Sequence, residues 1–175
     1  YLLAPIRGML AVWLVLCGFA ASMYYIQDEE RGVYSRVPVR KRLWAAFGVH
    51  WVLLLNAAIV LLLSCGAAGV FTLWPRELAS LFLFACCTVA FCNLVRLLCR
   101  TPEYLGSCFP VLLLGMLVLC PVFIQTRQLA AVRALLPPDY YLRSIHSDSY
   151  LYRMAVYAAA LTGLCVLTDR LQGCH

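Results

Sequence analysis

Gly8-Met9-Leu10-Ala11-Val12-Trp13-Leu14-Val15-Leu16-Cys17-Gly18-Phe19-Ala20-Ala21-Ser22-Met23-Tyr24-Tyr25-Ile26 is apolar almost throughout and stops abruptly at Gln27-Asp28-Glu29-Glu30. A helix rises about 1.5 Å per residue and a bilayer's hydrocarbon core is about 30 Å thick, so a run of about 20 such residues reads as a membrane span. Four similar runs follow. His50 to Leu73 is broken only by Asn56 and Ser64-Cys65-Gly66-Ala67-Ala68-Gly69, and Leu78 to Leu98 carries Asn93 and Arg96 near its far end. Leu105 to Ile124 contains Pro110 and Pro121, and Tyr150 to Leu167 is closed by Asp169-Arg170. Barrel strands would alternate over about ten residues, and these runs do not. The fold expected is all-α: a polytopic transmembrane helix bundle of about five spans.

Composition agrees with that reading. Hydrophobic residues make up 64% of the 175 and charged residues 13%, whereas soluble domains are roughly half apolar and a quarter charged. Five is an odd count, and the chain opens at Tyr1 close to an apolar run. We therefore expect residues 1–175 to be a single membrane domain, the C-terminal part of a longer chain. A secretory leader would need a basic start and a small-residue cleavage site after its apolar run. Arg7 alone is a thin leader, and Ala20-Ala21-Ser22 lies inside the run.

Lys and Arg resist translocation and mark the cytoplasmic side. The first connection holds Arg31, Arg36, Arg40, Lys41 and Arg42, and the third holds Arg96 and Arg100, whereas the connection Thr72 to Glu77 has one Arg. The N-terminus is thus expected outside and the C-terminus in the cytoplasm. Arg127, Arg133, Arg143 and Arg153 in the segment between Gln125 and Arg153 dilute the bias, but longer loops obey the rule less strictly.

Chemistry-bearing motifs are sparse. The ten cysteines lie mostly in or beside apolar runs, without C-x-x-C or zinc spacing, and read as small apolar fillers rather than ligands. No metalloprotease, P-loop, nucleophile-elbow or dinucleotide fingerprint occurs. No catalytic residue, metal site or cofactor is expected, and no nucleic-acid partner. His50 at a membrane boundary and His146 in a polar loop read as structural or exposed. Asn56 and Asn93 suggest interhelical hydrogen bonds. Without a charge at mid-span, a proton-relay transporter is disfavoured.

Two stretches carry more information. Asp28-Glu29-Glu30-Arg31-Gly32-Val33-Tyr34-Ser35-Arg36-Val37-Pro38-Val39-Arg40-Lys41-Arg42 mixes charge with apolar residues, so it can lie along the membrane surface. Gly32 permits a sharp change of direction and Pro38 suits the first turn of a new helix. This is either a short cytoplasmic elbow or a plain basic anchor. After Pro121, Leu129, Val132, Leu135 and Leu136 recur at helical spacing, too briefly to span, before Pro137-Pro138-Asp139-Tyr140-Tyr141. That is either a segment dipping back into the outer leaflet or a surface helix.

In this order the features resemble the ABC type-2 permease family. The family's elbow reads like E-x-E-x-G followed by a basic, Pro-containing stretch, matched by Asp28, Glu30, Gly32, Arg36, Pro38 and Arg40; its external hairpin ends in Pro-x-x-Tyr, matched by Pro137 and Tyr140. Asp28 replaces the usual Glu, and the family's first span and its preceding cytoplasmic helix are not in this sequence. The resemblance implies the permease subunit of an ATP-driven exporter in the cell membrane. It pairs with a second permease half, as homodimer or heterodimer, and with a separate ATPase that hydrolyses the nucleotide. Coupling would fall to Asp28, Glu29, Glu30, Arg31, Gly32, Arg36, Pro38 and Arg40. An external re-entrant gate would include Pro121, Phe123, Leu136, Pro137 and Tyr140. A membrane-embedded enzyme and a non-transport scaffold are the alternatives.

The orientation has a direct test. Single-cysteine labelling in a cysteine-free background should reach residue 36 only from the cytoplasm and residue 146 only from outside; the reverse pattern for residue 146 would overturn the external hairpin.

Overall fold

The computed structural model describes residues 3–67, 69, 74–99, 101–119, 135–144 and 147–173. Helix α1 covers Leu3–Glu30, and a 3-10 turn at Val33–Arg36 leads to α2, Val39–Ala67. Then come α3, Trp74–Cys99, and α4, Pro102–Leu119. A short α5, Pro137–Ser144, precedes α6, Ser149–Gly173. No strand occurs among the described residues. Helices α1, α2, α3 and α6 are long and apolar enough to cross a membrane. The expected fourth span, Leu105 to Ile124, is described only as far as Leu119; α4 is apolar but has 18 residues there. Helix α2 begins at Val39, directly after Pro38 as expected, with Arg40, Lys41 and Arg42 in its first turn; the part of it long and apolar enough to cross is Lys41–Ala67, which starts earlier than the expected His50.

Lipid is as apolar as a leucine side chain, so close packing rather than water exclusion must join such helices. The tightest joint is between α1 and α3, which run side by side in the same direction. A Cβ on Gly18 would lie 2.7 Å from Cys92 Sγ and 3.2 Å from Thr88 Cγ2. Only glycine admits that approach. Antiparallel α2 lies against α1 through Tyr25, whose hydroxyl donates to the Arg42 carbonyl at 3.0 Å. Helix α4 lies on the same helix through Phe109, its ring 5.0 Å from that of Phe19. On the far side of α3, α6 docks with side chains reaching backbone: Cys165 Sγ donates to Ala90 O at 3.3 Å and Gln172 Nε2 to Leu97 O at 3.0 Å. The core between α1 and α3 contains Leu14, Val15, Phe19, Phe84 and Val89, all sealed.

Burial falls off sharply outward. Of the central window of α3, 67% is buried, against 28% for α2 and 17% for α6. Helix α6 buries Met154, Ala158 and Cys165 against the core, with Tyr157, Leu161 and Val166 partly covered beside them, and leaves Tyr152, Val156, Leu164 and Leu167 exposed. In lipid such faces carry no penalty. The described cysteines are all free, and Cys87 and Cys165 act as packing groups that also donate weakly across a helix interface.

Gly18→Ala should destabilise the bundle by about 1–3 kcal/mol, the usual cost of overpacking, read as a lower heat- or detergent-unfolding midpoint. Adding Cys92→Ala removes the obstructing sulfur and should recover most of that loss.

Candidate functional site

The turn between α1 and α2 is built by local hydrogen bonds. Arg31 N donates to Gln27 O and Gly32 N to Glu29 O, both at 3.0 Å, ending α1. Gly32 then takes φ 75°, ψ 14°, a left-handed conformation that costs a residue with a Cβ but not glycine. Ser35 N and Val37 N close the 3-10 turn on Gly32 O and Tyr34 O, and Pro38 accepts from Lys41 N at 2.8 Å as α2 begins. Tyr34 stacks on Tyr25, rings 4.5 Å apart, which ties the turn back to α1. Burial of Tyr34 and the nearby carboxylates of Asp28 and Glu29 hold its phenol above the ordinary value, so it stays neutral.

The structure brings Asp28, Glu29, Glu30, Arg31, Gly32, Arg36 and Pro38 together at this end; of Arg40 only the backbone, within α2, is described. Glu29 pairs with Arg42 at 3.6 Å. Asp28, Glu30, Arg31, Arg36 and Lys41 make no ion pair among the described residues, and Glu30, Arg31, Arg36 and Lys41 are exposed. The elbow is thus a four-residue 3-10 turn ending in Arg36, flanked by Glu30 and Arg31 before it and Lys41 after it, which make no ion pair among the described residues.

At the other end the charges are consumed. Arg7 of α1 pairs with Glu77 of α3, both nearly buried. Arg76 meets Asp148 at 2.9 Å and also donates to Ser144 O at 3.1 Å, while Arg143 meets Asp139 at 3.0 Å. These contacts hold α5 across the starts of α3 and α6. The double proline opens α5: Pro137 occupies its first turn, where a missing N–H costs nothing. Leu136, Pro137 and Pro138 are buried, and Tyr140 stacks on Tyr157 with rings 4.9 Å apart. Tyr157 in turn donates to Leu135 O at 2.5 Å. Tyr141 stacks on Phe84, 4.8 Å away, and burial pushes its phenol up to about 12. The sequence put Leu135 and Leu136 on one apolar face, but Leu135 is exposed and Leu136 is not. Pro121, Phe123 and the rest of the expected re-entrant segment up to residue 134 lie outside the described residues.

Between the two ends sits a buried polar layer that the sequence reading did not assemble. Ser22 Oγ lies 2.8 Å from His50 Nε2, and His50 Nδ1 lies 2.7 Å from Ala46 O. A carbonyl only accepts, so in the neutral ring Nδ1 carries the proton and Nε2 accepts the Ser22 hydroxyl. On α3, Asn93 Nδ2 donates to Val89 O at 2.9 Å, leaving Oδ1 without a partner. The Arg96 guanidinium covers the Tyr25 ring at 4.6 Å, with Nε unpartnered. A hydroxyl against an imidazole is also a nucleophile–base geometry, but Ser22 and His50 are both 0% exposed, and what the pair does in this fold is join α1 to α2. His50 shares a helical face with Leu43, Phe47 and Leu54, all buried, but the other faces of α2 are apolar too, so the sequence did not single this one out. No group of three or more His, Cys, Asp or Glu with metal-site geometry exists among the described residues.

Compared with protein-family models, curated proteins and solved structures, the chain matches none. Its own fold defines the class: a multi-pass, all-α membrane bundle.

The Arg7–Glu77 pair should behave as a buried ion pair. Arg7→Met or Glu77→Met alone strands a charge and should cost about 3–5 kcal/mol, whereas the double Met variant should unfold near the wild-type midpoint.

Proposed function

We propose that this chain is a membrane permease subunit of an ATP-driven ABC exporter in the cell membrane. It would form part of a translocation path and couple to a separate ATPase, with a second permease half completing the path. One observation carries the reading: two long spans are joined by a tight, exposed connection whose Glu30, Arg31 and Arg36 make no ion pair among the described residues. The basic residues alone would serve to anchor the connection on one side of the membrane; the added exposed Glu30 on so short a connection is what a docking surface for another subunit would display. Its order along the chain, an acidic helix end, then Gly32, then Pro38 and a basic stretch, is the order of the type-2 permease elbow.

In this reading closure of the ATPase presses on residues 28–38. Because α1 continues without interruption from that turn to Arg7, a push there tilts the helix as a rod against α3. The far end of the rod meets Glu77 and the α5 region, where Leu136, Pro137 and Tyr140 belong to the expected gate. The orientation that goes with this places the Gly32 end in the cytoplasm and the α5 end outside, with the positive-inside bias as its support.

Affinity purification of the chain from its native membrane should recover a nucleotide-binding subunit. Glu30→Lys, at an exposed site, should leave insertion and abundance near normal while permease-stimulated ATP hydrolysis falls at least tenfold. Loss of the protein from the membrane would make Glu30 structural, and full hydrolysis would remove the elbow from coupling.

A further inference from the structure

Helical hydroxyls here satisfy themselves: Ser64, Thr88, Ser107, Thr162 and Thr168 each donate to the carbonyl four residues earlier, and the Asn93 amide does the same. Asn56 does not. Its side chain is exposed and makes no hydrogen bond among the described residues. It lies near the middle of the span Lys41–Ala67, at least about 16 Å from either end at the helical rise. Water does not reach that depth on a lipid-facing surface, and hydrocarbon offers an amide no partner. Around it the surface is wholly apolar: Val52, Ile59, Val60 and Leu63 are 60%, 52%, 63% and 70% exposed. Val52, Asn56, Ile59 and Leu63 follow one another at spacings of four, three and four, the seam along which two helices pack knobs into holes.

We infer that this face of α2 is where two copies of the chain meet, with the two Asn56 amides hydrogen-bonded to each other across a two-fold axis along the membrane normal. The chemistry selects a second copy. A carboxamide carries both donor and acceptor, so it is its own complement. Identical chains inserted the same way also present it at the same depth, as an isologous interface requires. The α2 surface from Leu43 to Ala67 carries no Lys, Arg, Asp or Glu to repel its twin. Val and Ile at the seam suit a two-stranded contact, and an Asn among them fixes its register. The inference shares the pairing element of the proposed permease but assigns it to a particular helix and residue.

The test uses two differently tagged copies of the chain, co-expressed, one carrying a photo-crosslinking amino acid at Val52 or Ile59. Irradiation should yield a product bearing both tags, at least about fivefold more than from Val111, an equally exposed position on α4. Asn56→Leu, which favours insertion and removes no hydrogen bond among the described residues, should cut that yield about fivefold or more, and Asn56→Gln should restore part of it. Crosslinks at 52 and 59 that go only to lipid or to another protein, or that ignore Asn56→Leu, would overturn the inference. Particle mass in lipid nanodiscs separates the two readings. Two copies per particle without α2 crosslinks would leave a paired permease using another face; one copy would remove both this contact and self-pairing.

Discussion

The approach of α1 to α3 at Gly18 sets the axial register on which the other contacts depend. With the two helices parallel and touching backbone to side chain at Cys92 and Thr88, positions along one are locked to positions along the other. That lock places Arg7 beside Glu77 near one end and Tyr25 beneath Arg96 near the other. It also presents Ser22 to α2, where His50 takes its hydroxyl. A slip of one turn, about 5.4 Å, would strand each of these groups in apolar surroundings, where an unpartnered polar atom is costly. Polar pairs that contribute modest binding energy between membrane helices therefore act chiefly as register marks.

The ends of the bundle treat charge in opposite ways. Around α5, Arg7, Arg76 and Arg143 each face a carboxylate, so their fields largely cancel within the fold and what remains is mechanical: a short helix held across its neighbours. At the Gly32 end, Arg31, Arg36 and Lys41 are exposed and have no such partner among the described residues. Arginines counted along the sequence seemed to weaken the bias toward that end, because Arg143 weighed as much as Arg36. Pairing with Asp139 distinguishes them, and pairing is a tertiary fact.

Local chemistry made much of the molecule readable from its sequence. Span length and hydropathy are properties of contiguous residues, so α1, α2, α3 and α6 were legible as helices. The Gly32 turn and the Pro38 start were legible too, because φ > 0 and a missing N–H are constraints of single residues. The apolar span was expected from His50 and opens at Lys41 instead, because hydropathy counts a basic first turn as loop although its backbone is already helical.

Which face of each helix turns inward was decided by tertiary structure alone. In a soluble helix the buried stripe is apolar and the rest polar, but α2 and α6 are apolar on every side because lipid accepts what the core accepts, so periodicity carries no direction. His50 and Asn56, less than two turns apart on one helix, illustrate this. The first is sealed against Ser22 and the second stands in the open, a difference of rotation about the helix axis that no local pattern encodes. Arg7 and Glu77 likewise looked like unrelated charges at two ends of two runs. Their pairing exists because α1 and α3 run parallel, as spans on either side of one antiparallel helix do, and because the close approach at Gly18 fixes their register.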